Sequence, residues 1–217
     1  MYFISGYKIF ISCSSAFQKS IKFVSKLLYM IKFICFLLTT CVILVTQTFA
    51  QLKLPPVDKS PMDMSYYPNV YPVLKIQDKT TEPLIARVIF SRPQRNNRTI
   101  FGDLIEYGKL WRMGANEATE IEFFVPVKIG GVKIKKGRYI LYCIPFEEKW
   151  TMIINNETDT WGAFKYDETK DITRLDIPVQ KQTDVLENFV MAFEKSGNGS
   201  NLVIAWDTIK VMLPINF

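Results

Sequence analysis

The chain has 217 residues, with 27 basic against 21 acidic side chains and no histidine. Lack of imidazole excludes Ser-His-Asp and Cys-His nucleophile systems and His-ligated zinc, copper or non-haem iron. Of the formal charge of +6, five units belong to the leader: residues 1–50 hold five lysines and no acid, leaving 22 basic against 21 acidic residues beyond them, too balanced for a nucleic-acid footprint.

Within the leader, Lys32 precedes an apolar run over residues 33–45, followed by Thr46, Gln47, Thr48, Phe49, Ala50 and the polar Gln51. A short basic segment, an apolar stretch and a small-x-small ending predict a secretory signal peptide over residues 30–50, with cleavage after Ala50. The run is shorter than the roughly 20 apolar residues of a permanent span. Residues 1–29 then read as an extension ahead of the true start at Met30. A lipoprotein anchor on Cys41 fits less well, because Thr40 precedes it and apolar residues 42–45 follow where a polar tether is expected. The address expected is the periplasm, the cell surface or the medium, with no integral span after signal removal. Three of the four cysteines (Cys13, Cys35, Cys41) lie in the leader, so Cys143 is alone and the exported part has no internal disulfide.

Residues 51–72 carry Pro55, Pro56, Pro61, Pro68 and Pro72 and read as a linker, since proline removes backbone donors and breaks helix and sheet. From residue 73 to the C-terminus the pattern is two-residue alternation. Ala86, Val88 and Phe90 share a face, as do Ile121, Phe123 and Val125; Trp150, Met152 and Ile154; and Leu175, Ile177 and Val179. The sets continue with Phe189, Met191 and Phe193; Leu202, Ile204 and Trp206; and Val211, Leu213 and Ile215. Such runs, separated by Gly130-Gly131, Lys136-Gly137, Asn155-Asn156 and residues 196–199, predict half-buried antiparallel strands. Residues 139–144 are apolar on both faces and predict a central strand, with Cys143 as a buried hydrophobe. The expectation is an all-β, antiparallel sandwich or jelly roll of about nine strands over residues 73–217, with at most one short helix, around residues 104–111.

Three stretches place aromatic and charged residues outside this alternation: residues 90–98, residues 102–120 and residues 160–167. Their motifs, in order, are SRP (91–93), RTIFGDL (98–104), YGKLWRMGANEAT (107–119), IGGVKIKKGRY (129–139), Trp150 to Asn155, WGAFKYD (161–167) and Ala205-Trp206. This series resembles the bacterial family called domain of unknown function 2911. The resemblance runs over roughly residues 75–217 and is most specific at GANEAT (114–119). It implies exported proteins with no established activity and supplies no catalytic residues.

Read physically, Arg92 and Arg112 can donate to an anion or hydroxyl, Asn116 and Glu117 can act as bidentate partners, and Trp111 and Trp161 can stack on a ring. That is the make-up of a polar ligand cleft. The same side chains can instead serve a long loop: Arg92 or Arg112 pairing with Glu117 or Asp103, Asn116 capping a turn, and Trp111 plugging the core. Trp150 and Trp206, in phase with their strands, are core. A catalytic reading would use Glu117 with Asp103 or Glu106 as acid and base, as in a glycosidase. No calcium-loop spacing is present, so neither a metal nor a cofactor is expected. Three readings result: a non-enzymatic binder of a small polar molecule or glycan through residues 102–120 and Trp161; a carboxylate-dependent glycan hydrolase; and a scaffold docking on an envelope partner through residues 60–71.

Overall fold

A computed structural model describes residues 5–46, 52 and 54–217. The chain divides into two compact units, Met1–Pro56 and Val57–Phe217. The first contains one long helix, α1 (Ser5–Thr46). Among the described residues no helix is long and apolar enough to cross a membrane. Thr48, Ala50 and Gln51, where cleavage is expected, lie outside the described residues. Cys35 and Cys41 are exposed free thiols.

The second unit is built from ten strands in two antiparallel sheets. One has the order β1 (Met62–Tyr67), β2 (Ala86–Ser91), β3 (Glu120–Phe123), β6 (Gly137–Pro145), β7 (Lys149–Asn155) and β8 (Asp171–Pro178). The other has the order β5 (Val132–Ile134), β4 (Val127–Ile129), β10 (Gly199–Asn216) and β9 (Gln180–Ser196). Alternation sets the inner faces as expected: Ala86, Val88 and Phe90 from β2 and Trp150, Met152 and Ile154 from β7 meet Phe189, Met191 and Phe193 from β9 and Leu202, Ile204 and Trp206 from β10. The sheets therefore face each other across one apolar core. β6 is buried on both faces because it lies in mid-sheet under a second, outer layer of side chains.

Three expectations need correction. The stretch over residues 51–72 is not all linker: β1 lies within it and pairs along its whole length with β2. Pro61 and Pro68 bracket the strand instead of interrupting it, and an edge strand tolerates such neighbours. The helix expected around residues 104–111 does not form. That segment is a series of turns, with Gly102 and Gly108 at positive φ and a short bridge between Phe101 and Ile105. The short helix is instead α2 (Tyr71–Ile76), with Pro72 in its first turn, where the missing N–H costs nothing. The two alternating sets over residues 202–215 belong to the single strand β10, whose register shifts near Asp207 where it pairs with β9.

Candidate functional site

Trp111 determines how the irregular stretch is built. Its backbone forms a two-way bridge with Cys143 of β6, donating at 2.7 Å and accepting at 2.9 Å. The chain thus occupies the lattice position that β3 would reach if extended, and the Trp111 side chain turns inward. It is 4% exposed, stacked on Trp206 with a centroid distance of 6.3 Å and edge-on to Trp150 and Phe189. Trp111 is therefore core, a correction to its reading as a ligand-stacking surface. Cys143, across the bridge, is equally buried, and burial pushes its thiol well up. It is a small apolar side chain, not a nucleophile.

Between Trp111 and β3 the chain makes a short excursion, closed at its base by Thr119. The Thr119 amide donates to the Arg112 carbonyl at 3.1 Å and its hydroxyl to the Met113 carbonyl at 2.6 Å. Ser91 pins the middle: its Oγ donates to the Ala115 carbonyl at 2.7 Å and accepts from the Ala115 amide at 2.6 Å. A Cβ at Gly114 would lie 2.6 Å from that Oγ, so only glycine lets the two segments approach. Asn116 stands at φ 59, a left-handed conformation that asparagine accepts more readily than most residues.

The excursion is paired on its outer side with the loop that carries Trp161. The Gly162 amide donates to the Asn116 carbonyl at 2.9 Å and the Ala118 amide to the Thr160 carbonyl at 3.1 Å, which makes Glu117 and Trp161 an antiparallel bridge. These bonds flank the pair rather than join it, the arrangement in which opposed side chains stand closest. Trp161 is nonetheless 61% exposed, and Phe164, three residues on, is 85% exposed. Gly162 has φ 68, and a Cβ there would meet the Phe164 ring at 2.7 Å.

Below this loop is a concavity of about 660 Å³ lined by Tyr142, Thr160, Trp161, Phe164, Lys165 and Lys170, with Glu157, Asp159 and Asp167 on its walls. Tyr142 forms its floor as part of the outer apolar layer with Ala118, Ile140 and Ile153, and burial raises its phenol. Three acids on the walls are already engaged. Glu157 pairs with Lys170, Asp159 accepts from Arg138 at 3.0 and 3.1 Å, and Asp167 accepts from Thr169. The Asp159 carboxyl is accordingly held below the usual aspartate range, mainly by its Arg138 hydrogen bonds. The loop is latched at its far end by Asp171, which accepts from Tyr166 at 2.6 Å, Arg174 at 2.8 Å and Asn155 at 2.8 Å. A second concavity, about 690 Å³ between Tyr107, Phe146 and Ile177, holds none of the residues expected at a site, and its Lys149 is taken by Asp176 at 2.5 Å.

The six residues expected to bind a ligand therefore separate. Arg92 is used within the fold: it pairs with Asp63 of β1 at 3.0 Å and donates to the Phe189 carbonyl of β9 at 3.2 Å. Trp111 is core. Asn116, Glu117 and Trp161 are brought together across the two loops. Arg112, one residue beyond the inward-facing Trp111, is half-buried and is not among the residues that line the Tyr142 concavity. Asp103 lies in a different turn, between Phe101 and Ile105, and is exposed. The residues that sequence reasoning missed are Tyr142, concealed in a strand apolar on both faces, and Phe164 and Lys165. The last two stand beside Trp161 in a motif already singled out, where an aromatic residue outside the alternation was the available signal.

The class of protein these features define is a two-sheet antiparallel sandwich. The family model for "Protein of unknown function (DUF2911)" matches residues 74–215, and the chain belongs to that family. No curated protein and no solved structure matches the chain.

Proposed function

We propose that this protein is an exported, non-enzymatic binding domain that takes a small polar ligand at the Trp161 loop, where residues 112–119 meet residues 157–170. One observation carries this reading. The backbone on both sides of an exposed tryptophan is held by hydrogen bonds, and its indole lines a concavity together with the buried Tyr142. Holding a large aromatic group in water adds nothing to folding, and apolar surfaces fixed among a few polar groups are how pockets for small molecules are lined. The side chains of Asn116 and Glu117 have no partner among the described residues, so their hydrogen-bonding capacity is open to a ligand. The basic and apolar leader ahead of the domain supports export.

The test is a thermal-shift screen of the full chain against saccharides and small polar metabolites, repeated on Trp161→Ala. The expected result is stabilisation by one chemical class that disappears in Trp161→Ala while the variant's unliganded melting temperature is retained. Stabilisation that persists undiminished in the variant would reject this site.

A further inference from the structure

The concavity between Tyr107, Phe146 and Ile177 shares no lining residue with the one beneath the Trp161 loop. Three segments form it: the turn carrying Tyr107, the turn from Phe146 to Lys149 that joins β6 to β7, and the end of β8 from Asp176 to Pro178. Backbone bonds tie them together. The Gly108 amide donates to the Pro145 carbonyl, the Phe146 amide to the Lys149 carbonyl and the Val179 amide to the Glu148 carbonyl, each at 2.9 Å. A Cβ on Gly108 would lie 3.7 Å from the Phe146 ring, which places that ring directly beside the Tyr107 turn. Both aromatic side chains are 39% exposed, next to the buried Ile177. The volume of about 690 Å³ suits a small molecule, for which pockets run to about 300–1,000 Å³.

Its charge is one-sided. The lining holds three carboxylates, Glu147, Glu148 and Asp176, against one ammonium, Lys149. Lys149 and Asp176 satisfy each other at 2.5 Å, and the Thr151 hydroxyl donates to the second Asp176 oxygen at 2.6 Å. The Glu147 and Glu148 side chains have no hydrogen-bond or ion-pair partner among the described residues. Glu147 stands near enough to Tyr107 to add to burial in raising its phenol. The fold itself brings a cation to these rings: Lys149 Nζ lies 6.0 Å from the Phe146 centroid, at the outer reach of a cation–π contact. Ring faces, an apolar wall and two unpaired carboxylates complement a cation with an apolar body. A hydrated metal ion, which demands a shell of oxygens, fits such walls poorly.

We propose that this concavity is a second binding site, for a small organic ammonium ion. The cationic head sits against the Tyr107 and Phe146 rings, Glu147 and Glu148 neutralise it, and Ile177 and Pro178 receive its alkyl part. The site stands independently of the Trp161 loop.

The experiment uses the full chain in a non-ionic detergent, with phenylalanine and tyrosine rings and isoleucine methyls labelled for NMR. It is titrated with choline and with dimethylbutanol, the uncharged carbon isostere of choline. The expected result is a saturable shift of the Phe146, Tyr107 and Ile177 signals by choline, with cross-relaxation from its methyl protons to both rings. Dimethylbutanol should bind about tenfold or more weakly, the scale of one desolvated cation–π contact. Changing both turn acids, Glu147→Gln with Glu148→Gln, should weaken choline and leave dimethylbutanol unaltered. Because the shifts are read in the unmodified protein, they do not depend on the variant's folding. Equal binding of the two probes would overturn the proposal, since the cleft would then be merely apolar. So would the absence of any shift at Phe146, Tyr107 and Ile177, or a choline response confined to Trp161.

Discussion

Glu117 and Trp161 face each other across a two-residue antiparallel bridge, joined not by their own amides but by those of Ala118 and Gly162 on either side. The loop segment that carries the exposed Trp161 is thus held by backbone bonds to the excursion that begins at Trp111, whose own side chain is core.

The two tryptophans should differ sharply on truncation. Trp111→Ala removes a ring packed against Phe101, Trp150, Phe189 and Trp206 and should cost about 3–5 kcal/mol. Trp161→Ala, at an exposed position, should stay within about 0.5 kcal/mol of the parent. Urea unfolding of both variants, followed by far-UV circular dichroism, checks the pair.

The arginines separate in the same way. Arg92→Met should lower stability by about 1 kcal/mol or less, since its bridge to Asp63 is partly exposed and screened. Arg112→Met should leave stability unchanged or raise it by up to about 1 kcal/mol, because it removes an unmatched, desolvated charge and retains an apolar stem. Denaturant midpoints without ligand decide this. A loss at Arg112 as large as that of a buried pair would mean that the guanidinium is structural.

Trp150 and Trp206 could be placed from sequence because they fall in phase with neighbours on their own strands, and the inner faces of β2, β7, β9 and β10 follow from the same rule. Trp111 could not. Its strand-like position depends on pairing with Cys143 across an excursion whose closure by Thr119 is a tertiary fact. The ion pair of Arg92 is hidden from the sequence for a similar reason. Its partner Asp63 lies on β1, within residues whose prolines read as linker, and a carboxylate in an unrecognised strand cannot be matched to its arginine. The pairing of Glu117 with Trp161 joins segments more than forty residues apart, and no local pattern encodes it.

Gly114→Ala is a test of the excursion itself. A Cβ there meets Ser91 Oγ at 2.6 Å, at φ +155, so Ser91 must give up its hold on Ala115 or the loop must shift. The expected cost is about 1–3 kcal/mol. Amide exchange at Ala115, Ala118 and Gly162 should accelerate more than the global stability change accounts for.

Alkaline pH should loosen the Trp161 loop. Burial first, then its hydrogen bond to Asp171, push the Tyr166 phenol up to about 12. A raised folded pKa favours the neutral phenol in the native state. Its contribution is therefore complete below the unfolded value near pH 10 and is lost as pH rises from about 10 to 12. Tyr107, Tyr139 and Tyr142 are shifted the same way, so Tyr166→Phe should diminish rather than abolish the alkaline loss. Denaturant midpoints at pH 8 and pH 11 for both proteins measure the difference.

The central claim, that ligand sits against Trp161, is tested most directly by acrylamide quenching of tryptophan emission with and without a stabilising compound. Trp111, Trp150 and Trp206 are buried, so the accessible fraction of the emission belongs to Trp161. The account predicts that the quenchable fraction falls as the compound saturates the protein, and that Trp161→Phe removes both the fraction and its change. Saturating compound that raises the melting temperature yet leaves quenching unaltered would contradict it.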